Sequence, residues 1–389
     1  METRELANKY KQYTIDMRRE FHAHPELSMR EERTSRRIKE ELEKMGIPYV
    51  SMAGTGVLGT IKGKNEGRTI GLRGDIDALE ITEKRDTPYK SQNEGVMHAC
   101  GHDSHAAMLL GAAKVLNDMK DEINGTVKLI FQPGEEVAQG AKAMIAEGVL
   151  DGVDEVFGMH VMGSLPTGKI AVGSGPRMAS TDMFRIKVRG KGGHGSMPNL
   201  AIDAVVVASA IVMNLQTIAS REIDPMETVV VTVGKLISGT RFNIIAEDAL
   251  IEGTTRSFSY EVRDKLPEII ERIAKSTAAS YRAEVEVEYI FLTAPTINGE
   301  VSTERARKSV EKIMSKEAVM EFPKQAGGED FSEYLMKVPG TFALVGTGSE
   351  EKDTCYSNHH PKFDIDEDML ECGVALHAQY VLDYLNENK

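Results

Sequence analysis

The order of hydrophobic patterns along this 389-residue chain constrains its architecture more tightly than any single motif. "GTGVLGTIKG" and "RTIGLRGDIDAL" read as a pair of strands, "DSHAAMLLGAAKVLNDM" as a helix, and "GTVKLIFQP" as a buried strand. "GAKAMIAEGVL" then reads as a helix and "DEVFGMHV" as a further strand, while helical periodicity covers residues 3–20 and 30–46. Strands alternating with helices imply an α/β fold with a mostly parallel sheet. The pattern then changes. "MFRIKVRG" is a strand, 200–220 a helix, "ETVVVTVGKLI" and "DALIEGTTRSF" two strands, 260–280 a helix and "AEVEVEYIF" a strand. That β-α-β-β-α-β order is the ferredoxin-like unit. From about residue 293 the α/β pattern resumes with "VSTERARKSVEKIM", "GTFALVG" and a final helix at 367–386. The sequence therefore predicts an α/β domain made of residues 1–181 and 293–389, with a ferredoxin-like domain of residues 182–292 inserted in it.

The length suffices for two domains. A net charge of −13 argues against a nucleic-acid partner, because phosphate binding needs a basic surface. "METRELANKYKQYTIDMRREF" is charged and periodic, without the apolar run of a signal peptide. No stretch of the roughly 18 apolar residues that would span a bilayer is expected. The expectation is a cytoplasmic protein with no membrane partner. Cys100, Cys355 and Cys372 are too few for a disulfide framework. Cys372 reads as a buried thiol, and Cys100, flanked by histidines, as a ligand or nucleophile.

Gly54, Gly56 and Gly59 spell G-x-G-x-x-G, with Asp75 about twenty residues on, as in dinucleotide-binding folds. That site needs the glycines to open a helix, so that pyrophosphate sits on its N-terminus. Here "VLGTIKG" continues as a strand, which sets aside an NAD-dependent dehydrogenase in favour of a glycine-rich strand approach and hairpin.

"MHACGHDSHAAM", residues 97–108, gathers His98, Cys100, His102, Asp103 and His105. In an extended approach to the helix, side chains two apart share a face, so Cys100 and His102 face one point. His98 stays open as a third, and Asp103 or Ser104 is the expected N-cap. A Cys/His pair favours a borderline-soft metal; zinc fits best, while manganese, cobalt and nickel are not separable from it by ligand type. A redox thiol would want a resolving cysteine nearby. In "FQPGEEVAQGA", Glu135 and Glu136 follow a buried strand at its carboxyl end, where open α/β sheets build their sites. Adjacent side chains diverge, so one carboxylate could ligate metal while the other serves as general base. The plainer alternative is a charge pair at a helix N-terminus. His160 ends the strand "EVFGMHV" at the same kind of position. "YSNHHPKFDIDEDM" adds His359 and His360, and spacing leaves open which of them ligates. Together these exceed what one tetrahedral zinc with an open position needs, and suffice for two metals about 3.5–4 Å apart.

"RREFHAHPELS", "LRGDIDALEI", "MHACGHDSHAAMLLGAA", "LIFQPGEE", "GMHV", "GKGGHGSMP", "FNIIAEDALIEGTTRSF", "GGEDFSEY" and "HHPKFDID" occur in order along nearly the whole chain. With them the sequence resembles the metal-dependent amidohydrolase and metallopeptidase family of bacterial aminoacylases, hippurate hydrolase, N-acetyl-diaminopimelate deacetylase and plant auxin-conjugate hydrolases. The resemblance implies two divalent metal ions held by Cys100, His102, Glu136, His160 and a C-terminal histidine. The family's His-small-Pro motif maps that ligand to His359. It implies Glu135 as the base that activates water, and hydrolysis of the amide of an N-acyl amino acid or small conjugate. It implies that the inserted domain dimerises and lends a histidine, His194, to the partner's site, giving a homodimer or higher homo-oligomer. Asn243 and Arg256 match positions near the substrate, and Asp77 and Asp103 match acidic positions that orient ligands. Without the resemblance, His194 would read as part of a glycine-rich turn and Arg256 as a surface charge. The sequence departs from the family at Glu80, where proline usually follows "DAL". The rival reading is a non-catalytic binding protein whose metals serve structure alone. Glu135 speaks against it, because a structural site needs no spare carboxylate beside a ligand.

Overall fold

The computed structural model describes residues 2–387. It divides into two compact units: Met1–Gly175 with Ile297–Pro323 and Asp330–Lys389, and Pro176–Thr296 with Lys324–Glu329. In chain order the first unit contains α1 (Thr3–Lys9), α2 (Lys11–Ala23), α3 (Glu32–Lys44), β1 (Tyr49–Met52), β2 (Gly56–Lys62), β3 (Asn65–Asp75), α4 (His102–Asp118), β4 (Asn124–Gln132), α5 (Gly140–Ala146), β5 (Glu155–Pro166) and β6 (Ile170–Val172). After β7 (Gly175–Met178) come β8 (Thr181–Arg189), β9 (Gly193–His194), α6 (Ala204–Leu215), β10 (Val229–Ser238), β11 (Ile244–Ile245), β12 (Asp248–Ser257), α7 (Tyr260–Ser280) and β13 (Glu284–Thr293). The chain closes with β14 (Thr296–Asn298), α8 (Glu300–Ile313), β15 (Val319–Glu321), α9 (Phe331–Leu335), β16 (Gly340–Gly348) and α10 (Leu370–Asn386).

The first unit is built on an eight-stranded sheet in the order β1-β2-β4-β3-β5-β16-β6-β15. Its centre, β4-β3-β5-β16, is parallel, and antiparallel pairings appear toward both flanks. The expected pairing of β2 with β3 does not form: β4 lies between them, antiparallel to β2 and parallel to β3. The last four residues of β4 are all buried, and a strand this apolar is best covered when it has a neighbour on each edge. The glycine-rich stretch makes the β1–β2 hairpin, with Met52 paired to Gly56 across a three-residue turn, and no helix follows it. The helix expected over 3–20 is split at Tyr10 into α1 and α2.

α4 is buried over nearly its whole length and packs on β3 and against α2 and α10, so beyond its polar first turn it is mostly apolar. Neither Asp103 nor Ser104 caps it. The cap is Gly101, at φ +88°, and His102 is the first helical residue. A Cβ on Gly101 would lie 2.3 Å from the Val161 side chain, so backbone angle and close packing both require glycine there. Asp103 instead accepts from Arg18 at 2.8 Å and pairs with His22 at 2.8 Å in the interior.

The second unit carries a four-stranded antiparallel sheet in the order β10-β12-β8-β13, the strand order of a ferredoxin-like unit. α6 and α7 cover one face, where Phe184, Ile186, Ile211, Ile251, Leu266 and Ile270 form the core. The other face carries cross-strand ion pairs, among them Arg185 with Glu252 and with Glu288, each at 2.9 Å. Ala204–Glu222 has the length and mean hydropathy, 1.4, of a membrane-crossing helix. Its apolarity has a local cause on one side, since Ala204, Val207, Ala208, Ile211 and Leu215 are packed into the core. Val205, Val206 and Met213 on the other side are exposed.

Candidate metal centre

The parallel core of the sheet brings the candidate metal ligands together near one edge, where its strands end. β3 leads into Asp77, and β4 into the turn that holds Glu135 and Glu136. His160 lies inside β5 rather than at its end: β5 runs on to Pro166 beside β16, while β3 pairs only as far as Arg73↔Gly158, leaving His160 open on that side. His359 comes from the loop after β16 and sits at φ +68°. Its amide donates to the Ala99 carbonyl at 2.7 Å, and the Asn358 side chain donates to the carbonyls of Cys100 at 3.1 Å and Val161 at 3.2 Å. These bonds dock the C-terminal loop on the approach to α4. His360 is exposed and stacks on Tyr356, with ring centroids 4.7 Å apart.

Two of the candidate triads share Cys100, namely Cys100–His102–His160 and Cys100–Glu136–His359, each with its ligand atoms within 4.8 Å of one another. Cys100 Sγ lies 3.4 Å from His160 Nε2 and 3.3 Å from His359 Nε2. Glu136 Oε1 lies 3.6 Å from His359 Nε2 and 3.9 Å from His102 Nε2. Bond lengths of about 2.0–2.3 Å around a tetrahedral cation give ligand-to-ligand edges of about 3.3–3.7 Å, so the spacings suit one cation per triad. The hydrogen bonding agrees. His102 Nε2 and Glu136 Oε1 are buried without a hydrogen-bond partner. Each such orphan costs about 1–3 kcal/mol unless a cation or water takes the lone pair. Burial pushes Glu136 up to about 7 and the Cys100 thiol well above its usual range. A bound cation would reverse both.

The other ring nitrogens are committed to orienting bonds. His102 Nδ1 lies 3.0 Å from Asp77 Oδ1, and Asp77 Oδ2 accepts from Ser28 at 2.7 Å and from the Glu136 amide at 3.0 Å. His160 Nδ1 is 2.7 Å from the Val161 carbonyl. His105 lies 2.5 Å from Asp75 through Nδ1 and accepts from the Val161 amide at 2.9 Å through Nε2, so neither nitrogen is left for a metal. Asp75 is also paired with Arg73 at 2.5 Å. His98 is buried with both ring nitrogens unpartnered, and it joins no metal-binding group among the described residues. Glu135 stands beside the triads, grouped with His102 and Glu136 within 4.8 Å.

Behind the site lies a buried ionic cluster that residue-type reasoning missed. Arg18 binds Asp364 at 2.6 Å as well as Asp103. Burial and Arg18 work against a charged His22, but the Asp103 and Glu83 carboxylates outweigh them and hold it at about 9. The signal was available as a polar pair spaced i, i+4 on the buried face of α2.

His194, Asn243 and Arg256 all belong to the second unit. His194, on β9, and Asn243, just before β11, are exposed neighbours, and the Gly195 amide donates to the Asn243 carbonyl at 3.0 Å. His194 Nδ1 accepts from the Ser196 amide at 3.1 Å, which turns Nε2 outward. Arg256, on β12, is half-buried and donates to Thr181, so it is more than a solvated charge. Glu80, in the position usual for proline, is exposed.

Two candidate cation triads sharing a thiol at the strand ends of an α/β sheet, with a further carboxylate alongside, are the arrangement of a metal-dependent hydrolase. Residues 71–383 match the model of peptidase family M20/M25/M40, and the chain belongs to that family. It is 43% identical over 380 residues to thermostable carboxypeptidase 1 of Saccharolobus solfataricus, covering 96% of each chain. It is 40% identical over 380 residues to N-acetylcysteine deacetylase of Bacillus subtilis, covering 96% of this chain and 97% of that protein. The crystal structure of the Bacillus subtilis YXEP protein, a dinuclear metal-binding peptidase of the M20 family, superposes with a TM-score of 0.86 at 36% identity, covering 97% of this chain and 99% of that one.

Proposed function

We propose that this enzyme hydrolyses the amide of N-acylated amino acids or small peptide-like conjugates, with Glu135 as general base. The observation that carries the proposal is the sharing of Cys100 between two ligand triads while Glu135 stays outside both. In this reading Cys100, His102, Glu136, His160 and His359 hold two divalent cations, zinc foremost by ligand type. Bound there, the cations supply Lewis acidity and lower the pKa of water. Glu135 takes the proton of the attacking water and passes it to the leaving amine. Asp77 holds His102 in the tautomer that leaves Nε2 for a cation, and the Val161 carbonyl does the same for His160.

His194, Asn243 and Arg256 act on the substrate, with His194 Nε2 donating to the developing oxyanion and serving the site of a second copy. An assembly of identical chains through the inserted unit is supported by that unit's own surface. β10 is an edge strand with Leu236 and Ile237 exposed, and α6 turns Val205, Val206 and Met213 outward. Sedimentation equilibrium should return at least twice the chain mass, and a monomer at assay concentration would remove the second-copy role of His194.

The substrate reading is tested by a metal-reconstituted screen over N-acetyl and N-benzoyl amino acids and dipeptides. The expected result is chelator-sensitive hydrolysis of at least one N-acyl class. A protein carrying two metals per chain that hydrolyses nothing across the panel would point to a binding role.

A further inference from the structure

Glu31 is a fully buried carboxylate that no cation among the described residues pairs with. A buried acid without a counter-charge is costly unless its oxygens are well supplied with hydrogen bonds. Its donors are specific. Oε1 accepts from the Met29 amide at 2.8 Å and from the Gly134 amide at 2.9 Å, and Oε2 accepts from the Thr55 hydroxyl. Gly134 is the residue before Glu135. On the far side of Glu135, the Glu136 amide donates to Asp77 Oδ2 at 3.0 Å. The two peptide N–H groups that flank the base in sequence, at 134 and 136, are thus each held by a buried carboxylate from a different loop. Ser28 and Met29 brace those carboxylates from one short segment, since Ser28 donates to Asp77 at 2.7 Å. Gly134 fits closely: its φ is +59°, and a Cβ there would lie 2.5 Å from Met29 Sδ.

We propose that Glu31 is a positioning residue for the hydrolysis: by holding the Gly134 amide it fixes the backbone at Glu135 and so sets where that carboxylate sits. The inference rests on Glu135 being the base. Glu31 touches neither substrate nor metal ligand, so its effect falls on kcat through geometry. What matters is reach and hydrogen-bond acceptance, not charge. Glutamine has the same reach; its carbonyl oxygen can take both amide donors while Thr55 turns its hydroxyl to accept from the new amide. Aspartate keeps the charge and is one methylene short.

The test is kcat, KM and metal content of E31Q, E31D and E31A, with T55V as a control that removes a donor from the same carboxylate on the side away from the base. A displacement near 1 Å costs about 100-fold in rate. E31A is therefore expected to lose about 100-fold in kcat and E31D about 10-fold or more, with KM within about 3-fold and both metals retained. E31Q and T55V are expected to stay within about 3-fold of the parent in kcat. Should E31A fail to fold, the ordering of E31Q above E31D decides the matter alone. Full kcat in E31D, or a loss of kcat that tracks loss of metal, overturns the inference. Failure of the base assignment is separate, because it shows as turnover by E135Q in the parent background.

Discussion

Glu135→Gln should lower kcat by about 10³-fold or more while the purified protein keeps its full complement of metal. A positioned general base contributes about 10²–10⁴-fold. A loss of 10³-fold corresponds to about 4 kcal/mol of transition-state stabilisation. The substitution is a near-isostere. The hydrogen bond that Glu135 Oε1 accepts from the Asp330 amide at 3.3 Å can be accepted equally by a glutamine oxygen. The two triads that share Cys100 do not include Glu135, so their ligand set is untouched. The comparison of elemental analysis with kcat separates the two roles of the adjacent carboxylates. Glu136→Gln, by contrast, alters a triad and should lower metal content. Substantial turnover by metal-replete E135Q would remove Glu135 from the base role.

Cys100→Ala should cost both cations, not one. The thiol sulfur is the atom common to the two triads, 3.4 Å from His160 Nε2 and 3.3 Å from His359 Nε2. Removing it leaves His102 with His160 on one side and Glu136 with His359 on the other, two donors each. Two ligands hold a divalent cation far less tightly than three. The expected readings are metal content falling toward zero per chain and turnover below detection. A third reading needs no substrate. A ligand that binds only the folded state adds RT ln(1 + [L]/Kd) to its stability, so a chelator should lower the melting temperature of the parent and leave that of C100A almost unchanged. One cation retained in C100A would mean that the thiol belongs to a single triad.

The sequence carried the strands and helices around the four-stranded antiparallel sheet, because each of these elements is long and has a clear period of two or near 3.6. It carried the order of the α/β layer as well, but not the pairing within it. Nothing in "GTGVLGTIKG" or "RTIGLRGDIDAL" says that β4 will part them, since pairing is settled by which strand most needs cover on both edges. The start of α4 differs from the sequence expectation for a similar reason. Asp103 has the chemistry of a cap, yet Arg18, from a helix about eighty residues earlier, takes its carboxylate and leaves Gly101 at the cap position. His98 looked as eligible as its neighbours and joins no cation triad among the described residues.

By itself the sequence determined the kinds of ligand, the carboxylate pair at a strand's end and the succession of helices and strands, all properties written within a dozen residues of each other. Only the tertiary structure decided convergence. Cys100 meets His160 and His359 across 60 and 259 residues of chain, and no local pattern encodes such distances. The choice between His359 and His360 shows the physical reason. Two adjacent histidines are equivalent in composition and spacing. A left-handed backbone at His359, its bond to the Ala99 carbonyl and the Asn358 side chain lodged between two further carbonyls turn one ring toward Cys100 and leave the other stacked on Tyr356.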